Sequence, residues 1–347
     1  MPLRLREAAR DALANPQILT AALPEGRREP WSAVAGCLGY PFAAGTEFET
    51  FLGHASRIAS RYMTSEMKAL CRSLRTRRGP AAVLFQGMPL DSVLPAPPAD
   101  GARPAGKQAV SEAAILGVAC RLGEVFSYRQ ENNGALCHEV APVPGHETSN
   151  SSIGEFELAP HSDVAAAPDE CTPEFLALLG LINEDRAETV LHIVDEVVCK
   201  LPDEHLECLA RPEFRFRYPE SFRIPGGPAF SPPRPIIGLR RRRLTIASSS
   251  SEVIACTADG ERSLEFFRAL LCGMPGHRFP IAPGDLIIFN NRRVLHSRTA
   301  FTGSRWLQRV YVRTDLGALR RITASRNGER VFDATRFGPR ASAAAAS

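Results

Sequence analysis

The chain has 347 residues, 44% of them apolar and 23% charged, with 42 Lys and Arg against 38 Asp and Glu for a formal net charge of +4. This is the composition of an ordinary globular protein, one large or two ordinary domains, with ample apolar mass for a core. No uncharged apolar run reaches about 18 residues, which excludes a transmembrane helix, and Met1-Pro2-Leu3-Arg4-Leu5-Arg6-Glu7 lacks the apolar centre of a signal peptide, so a cytoplasmic protein without a membrane partner is expected.

Residues 1–78 read as mostly helical. Leu3 to Leu13 has helical spacing, and Thr46 to Arg75 carries Phe48, Phe51, Leu52, Ile58, Tyr62, Met67 and Leu70 at intervals of mostly three to five. Ala81 to Gly87 reads as a buried strand, closed by Gly87 and Pro89. Residues 92–107, rich in Pro, Ala and Gly, are expected to form a mobile loop. Ser111 is a suitable N-cap and opens a helix expected to run to about Tyr128. From Leu136 onward the chain reads as short strands and turns.

Arg211 to Pro235, rich in Pro, Arg and aromatics, is expected to be a lid that orders over substrate. The run Arg240-Arg241-Arg242-Arg243 comes without interleaved aromatics or a DNA-binding motif. It is therefore expected to be a solvated strand edge or a cofactor-side patch, not a nucleic-acid site. Nine cysteines are scattered with no C-x-x-C pair, as in a protein of reduced thiols with neither a disulfide framework nor a cysteine zinc site. The expected organisation is a single domain over 1–335 followed by a disordered tail over 336–347.

The informative residues come late. His161-Ser162-Asp163 follows a strand-like Glu157 to Pro160, and His296 follows the apolar run Asp285 to Asn291. Two imidazoles and one carboxylate can occupy one face of a divalent ion and leave the opposite face open. A third strand-like run, Trp306 to Arg313, carries Arg309 and Arg313 on one face, because alternate residues of a strand share a side. Arg309 lies thirteen residues beyond His296, and a planar guanidinium suits bidentate binding of a carboxylate. The three ligands alone would also serve a hydrolytic zinc site; the arginine behind the distal histidine favours iron. A non-catalytic binding protein is the remaining alternative.

The chain resembles the clavaminate synthase-like branch of the iron(II)/2-oxoglutarate-dependent oxygenases, which includes amino-acid hydroxylases of peptide-antibiotic pathways. The resemblance is carried by Glu131 to Gly134, Val140 to Gly145, Phe156 to Asp163, Pro173 to Leu181, Pro283 to Arg298 and Arg305 to Leu316, within roughly residues 80–318. It implies an α+β, mainly β fold: a distorted double-stranded β-helix, or jelly-roll, over 79–318 with flanking helices. It implies Fe(II) held by His161, Asp163 and His296, with 2-oxoglutarate and O2 as co-substrates. Many relatives carry Glu where this chain has Asp163. Arg309 would grip the distal carboxylate of 2-oxoglutarate with Thr189 as its hydroxyl partner.

The resemblance further implies a small-molecule substrate, an amino acid. Arg313 would clamp its carboxylate, and Gln130 and Asn132 would read its amino group. Relatives acting on cationic side chains carry acids in the region of Ser248-Ser249-Ser250-Ser251; here the patch is serine, and a guanidinium buried without an acid is strongly disfavoured. A neutral or polar substrate side chain near Ser248 is therefore expected. The variant reading is an aminoacyl group on an acidic carrier protein, met by a basic mouth of Arg215, Arg217 and Arg223, or a peptide, or desaturation or ring closure in place of hydroxylation.

Overall fold

The structure is a computed structural model that describes residues 1–41, 45–148, 154–223, 227–240, 242–249 and 252–337. The N-terminal part supplies α1 (Pro2–Leu13), α2 (Glu25–Gly36), α3 (Thr46–Tyr62) and α4 (Ser65–Leu74). Thr64 caps α4 by accepting from the Met67 amide. One strand interrupts this helical stretch: β1 (Ile18–Ala22) runs parallel to β2 (Ala82–Gln86). Its five residues lie between Pro16 and Pro24, too few for either apolar period to register.

Two expectations for the next segment are corrected. Helix α5 (Val110–Ala119) stops well before Tyr128, and Glu124–Tyr128 forms β3. The reversal uses Gly123, where a Cβ would lie 2.1 Å from the Arg313 carbonyl oxygen, and the strand that follows contains Val125, Phe126 and Tyr128, residues favoured in strands. Ser111 does not cap this helix; it is buried inside it and receives a hydrogen bond from Lys107 Nζ at 2.6 Å. The same ammonium lies 2.8 Å from both Asp91 and Glu112, all fully buried, and Arg103 meets Glu112 at 2.6 Å. The 92–107 loop is thus tied down by buried ion pairs that its Pro/Ala/Gly composition does not announce.

Two sheets follow from β4 (His138–Val140), β5 (Leu158–His161), β6 (Phe175–Asn183) and β7 (Thr189–Ile193) onward. Helices α6 (Val194–Lys200) and α7 (Asp203–Leu209) lead to β8 (Phe214–Phe216), the hairpin β9 (Ile237–Arg240) and β10 (Arg243–Ile246), then β11 (Val253–Ala255) and α8 (Ala258–Gly273). The chain closes with β12 (His277–Phe279), β13 (Leu286–Asn290), β14 (Val294–Arg298), β15 (Arg305–Arg313), α9 (Gly317–Thr323) and β16 (Val331–Phe332). The larger sheet has the order β1-β2-β13-β6-β15-β3-β16, with β4 also on β15; the smaller is β12-β7-β14-β5.

Period-two alternation sorts the apolar residues of the larger sheet between two cores. Val83, Ala177, Leu179, Ile288, Trp306 and Val310 pack against α2 to α5. Leu84, Leu176, Leu178, Ile287, Leu307 and Tyr311 face the other way, onto Leu191, Ile193 and Val294 of the smaller sheet. Leu295, on the outer face of β14, packs with α1 and α6 to α8. His296 and Arg298 therefore point between the sheets.

The expected lid is anchored over much of its length: β8 pairs with β11, and Phe214, Phe216, Tyr218 and Phe222 are buried. Residues 224–226 of that segment lie outside the described residues, as do 338–347 of the expected tail; Phe337 is buried in a 3-10 turn over 334–337. No helix among the described residues is long and apolar enough to cross a membrane.

The turn between β13 and β14 is held by a buried cation. Arg293 reaches Asp195 at 2.6 Å, the Gln17 side chain at 2.7 Å and the Gly79 carbonyl at 3.0 Å. We expect Arg293→Ala, which leaves Asp195 buried and alone, to lower unfolding free energy by about 3–5 kcal/mol in urea titrations. A loss of about 1 kcal/mol or less, as for a surface pair, would show that this anchor does not hold the turn.

Candidate metal centre

His161 and His296 are directly opposite in the β5–β14 pairing, so both imidazoles leave the small sheet on the same side, with ring centroids 4.2 Å apart. Asp163 returns on the turn after β5, and its Oδ1 lies 3.3 Å from Nε2 of each histidine. All three are buried, with their ligand atoms within 4.8 Å of one another. Adjacent ligands on one ion with bonds of about 2.1 Å stand roughly 3.0–3.4 Å apart, so a single divalent ion fits these donors. His161 Nδ1 lies 2.9 Å from the Ala159 carbonyl, which can only accept; Nδ1 therefore carries the proton and Nε2 offers its lone pair. Burial, with His161 alongside, lowers the pKa of His296 to about 4 and keeps its ring neutral.

The Asp163 carboxylate is divided. While Oδ1 faces the imidazoles, Oδ2 accepts from Arg309 Nη1 at 2.7 Å and from the Tyr311 hydroxyl at 2.9 Å. Burial alone would raise its pKa; Arg309 and the two histidines outweigh burial and hold it well below the usual carboxylate range. Its backbone is fixed as well, since Asn291 accepts from the Asp163 amide at 2.9 Å and donates to its carbonyl at 3.0 Å. Val164, the next residue, sits at φ +59°, a conformation β-branched residues rarely adopt. Ser162, between the two ligands, donates from its amide to the Ser248 carbonyl at 3.0 Å, which brings Ser248 to the site by its backbone.

Behind the centre lies a small cavity of about 50 Å³ that brings together Thr189, His161, His296, Arg298, Arg305 and Arg309. Arg309 Nη2 donates to His138 Nδ1 at 3.0 Å, and His138 Nε2 in turn meets the Ser127 hydroxyl at 2.8 Å. Glu131 lies 3.6 Å from Arg309; burial raises its pKa, against the pull of that cation, and its Oε2 is buried without a hydrogen-bond partner among the described residues.

Residues 234–311 match the family described as taurine catabolism dioxygenase TauD, TfdA family. L-asparagine oxygenase of Streptomyces coelicolor is 33% identical over 256 residues, 70% of this chain and 74% of that one. This chain belongs to the clavaminate synthase-like iron(II)/2-oxoglutarate-dependent oxygenases. Clavaminate synthase 2 of Streptomyces clavuligerus is 29% identical over 321 residues, 86% of this chain and 93% of its own. A crystal structure of asparagine oxygenase in complex with Fe(II), 2S,3S-3-hydroxyasparagine and succinate matches with a TM-score of 0.78 at 27% identity, over 90% of this chain and 99% of that one.

The donor set suits the cofactors of this oxygenase family. Imidazole and carboxylate are proper ligands for a ferrous ion, and a dianionic co-substrate has cations waiting for it. Arg298 and Arg305 are nearly fully buried and both stack on Phe301; Nε and Nη1 of Arg298 and Nε of Arg305 lack a hydrogen-bond partner among the described residues. Burial lowers Arg298 to about 10 and, with Arg298 beside it, Arg305 to about 9. Sequence reading missed both, although alternation along β15 and β14 puts Arg305 on the face of Arg309 and Arg298 on the face of His296. Tyr311 was missed too, although it shares that face of β15 with Arg309; Asn291 carries no local signal.

Three expected substrate contacts are otherwise engaged. Gln130 donates to Asp333 at 2.7 Å and accepts from the Ala334 amide at 3.0 Å, which fastens the C-terminal 3-10 turn. Asn132, at φ +43°, donates to the carbonyls of Gly101 and Glu139 and so stabilises a turn. Arg313 donates to the carbonyls of Asp169, Thr172 and Asp315, away from the triad.

Tyr311→Phe keeps the packed ring and removes one of two donors to Asp163 Oδ2. Anaerobic titration with Fe(II) should show a dissociation constant raised about 10–100-fold with the fold intact. Unchanged affinity would mean that the hydroxyl does not orient the ligand.

Proposed function

We propose that this oxygenase hydroxylates an unactivated carbon of a free amino acid or a small amino-acid-derived metabolite. The reading is supported by the relatives, which include L-asparagine oxygenase and enduracididine beta-hydroxylase. The observation that carries it is the divided Asp163 carboxylate beside a cavity lined by three arginines. His161, Asp163 and His296 hold Fe(II). Arg309 and Thr189 grip the far carboxylate of 2-oxoglutarate; the Arg309 Nε is buried and unpartnered, ready for that bond. When bound, iron and 2-oxoglutarate supply the oxidising chemistry: O2 is consumed, 2-oxoglutarate leaves as succinate and carbon dioxide, and a substrate C–H bond is oxygenated.

The remaining residues bind and orient. Glu131, whose Oε2 faces Arg309 at 3.6 Å without a hydrogen bond, is the carboxylate placed to meet a substrate ammonium. The run beginning at Ser248 offers no carboxylate, residues 250 and 251 lie outside the described residues, and Glu252 is taken up by Arg217 at 2.8 Å. That favours a neutral or polar side chain over a guanidinium. We read the two facing sheets as the distorted double-stranded β-helix of a single domain over 1–335, with 211–235 as the segment covering the substrate. Nine free cysteines agree with a reducing, cytoplasmic setting.

The same chemistry on a carrier-bound aminoacyl group is the second reading. The mouth expected from Arg215, Arg217 and Arg223 does not favour it: Arg215 donates to the Ser231 carbonyl, Arg217 pairs with Glu252, and Arg223 donates to the Tyr218 carbonyl.

Anaerobic addition of Fe(II) and 2-oxoglutarate should produce the visible metal-to-ligand charge-transfer band in wild type and not in His161→Ala. No band at saturating components would sink the oxygenase reading. With the band established, succinate release over a panel of amino acids should favour neutral or polar side chains; faster turnover of L-arginine would refute the side-chain assignment.

A further inference from the structure

A second, larger depression lies beside the metal centre, a cleft of about 680 Å³ walled by β10, the start of β6 and the end of β15. Six arginines line it, Arg75, Arg77, Arg240, Arg243, Arg292 and Arg313, in addition to the Asp195-paired Arg293; the acids are Glu170, Glu174 and Asp315. Glu174 is shared between Arg292 at 3.2 Å and Arg313 at 3.5 Å. Asp169, the nearest acid to Arg240 at 3.9 Å, is already held by Arg234 at 2.6 Å. Positive charge is therefore in excess. Nε and Nη2 of Arg243 and Nε of Arg292 are buried with no hydrogen-bond partner among the described residues. Burial, with Arg293 near, lowers the pKa of Arg243 to about 10, and burial likewise lowers that of Arg292 to about 10, as befits cations set close together.

The cleft adjoins a smaller cavity that reaches Asp163. A cavity of about 190 Å³ lined by Ser162, Asp163 and Asn291 shares Thr245 and Arg292 with it. A group bound in the cleft is thus attached to, or neighbours, whatever sits before Asp163.

We propose that this cleft binds a phosphate ester carried at the far end of the substrate. A phosphate brings close to two negative charges and three strong acceptor oxygens, which several guanidinium forks can share. A carboxylate would neutralise only one of them. The proposal rests on the triad being the reaction centre. It names the substrate as an amino-acid unit with a phosphate-bearing tail, either a phosphorylated small metabolite or an aminoacyl group on a phosphopantetheine arm. The arginine run of the β9–β10 hairpin thereby acquires a ligand: Arg240 and Arg243, paired across the turn, present their charge to the cleft.

The test is calorimetric titration of the full chain with inorganic pyrophosphate at low salt, with 2-oxoglutarate present to fill the buried cavity. Binding is expected in wild type, weakened at least tenfold in Arg240→Ala/Arg243→Ala. A second double variant, Arg75→Ala/Arg77→Ala, changes two exposed residues and guards against misfolding; it should weaken binding several-fold. The charge-transfer band with Fe(II) and 2-oxoglutarate should be unchanged in both. No binding at millimolar pyrophosphate, or equal affinity in wild type and both variants, overturns the site. Pyrophosphate binding without any band would overturn the oxygenase reading and leave the anion site standing; a band without pyrophosphate binding overturns the cleft alone. Succinate release is then compared for an aminoacyl phosphopantetheine thioester and an O-phosphorylated amino acid, each against its phosphate-free form. A tenfold or larger fall in kcat/KM on removing the phosphate identifies the source, and no fall for either overturns the proposal.

Discussion

The Asp163 carboxylate is the point at which the two sheets act on one another. Its Oδ1 belongs to the small sheet, facing His161 and His296, while its Oδ2 belongs to the large one, held by Arg309 and Tyr311 of β15. Dividing the two oxygens prevents the carboxylate from turning both toward a metal without breaking a charge-assisted bond. With Oδ2 so engaged, the carboxylate would offer a metal ion a single oxygen, Oδ1. The choice of Asp over the Glu found in many relatives fits this arrangement. The shorter side chain must be met by donors that come close, and Arg309 and Tyr311, two residues apart on one strand face, both arrive from the same side. The backbone is fixed to match, with Asn291 spanning the Asp163 amide and carbonyl and Val164 forced into a left-handed conformation just beyond. Such strain, about 1–3 kcal/mol, persists only where the surroundings over-determine it.

The same division sets the electrostatics of the cavity. Arg298 and Arg305 are buried and Arg309 mostly so; Asp163 and Glu131 answer Arg309, while Arg298 and Arg305 have no carboxylate bonded to them among the described residues, Glu155 acting on Arg298 only from a distance. Isolated buried charge is expensive, several kcal/mol for each ion, so the cavity is poised for an anion that supplies acceptors. A dicarboxylate chelating the metal at one end and reaching these arginines at the other satisfies both requirements. The neutral rings of His296 and His138 add no further positive charge: burial lowers the pKa of each, and His138 accepts from Arg309.

The triad was legible in the sequence because His161 and Asp163 stand two residues apart at a strand end and His296 follows an apolar strand. Arg309 was legible for the same reason, lying on a strand whose alternation can be counted. Arg305 and Arg298 follow from the same count, on the faces of Arg309 and His296, but nothing local distinguishes a buried strand arginine from a surface one. Turn-forming and ligand-binding amides look identical in sequence, so Gln130 and Asn132 could not show their partners there: Asp333 and Gly101, far along the chain, and the Glu139 carbonyl seven residues on. Glu131, His138 and Tyr311 converge from three separate segments, and no local pattern announces convergence. Strand β1 and the early end of α5 were lost to short length and to Gly123, whose requirement comes from the Arg313 carbonyl rather than from its own neighbours.

Strand β15 also acts as a ruler. Arg305, Arg309 and Arg313 share one face, and at about 3.3 Å per residue successive arginines stand roughly 13 Å apart along the strand. The first lines the small cavity, the second holds Asp163, and the third lines the arginine cleft. An amino acid held before Asp163 spans only a few bonds and reaches one of these stations. A substrate that engages the metal centre and the cleft together must carry an extension of roughly the inter-arginine distance. Such an extension would run past Thr245 and Arg292, which line both the cleft and the cavity beside Asp163. Length thus separates the two forms of substrate more sharply than side-chain chemistry does: a compact amino acid leaves the excess charge of the cleft unanswered, whereas an extended one with an anionic end satisfies both ends of the strand at once.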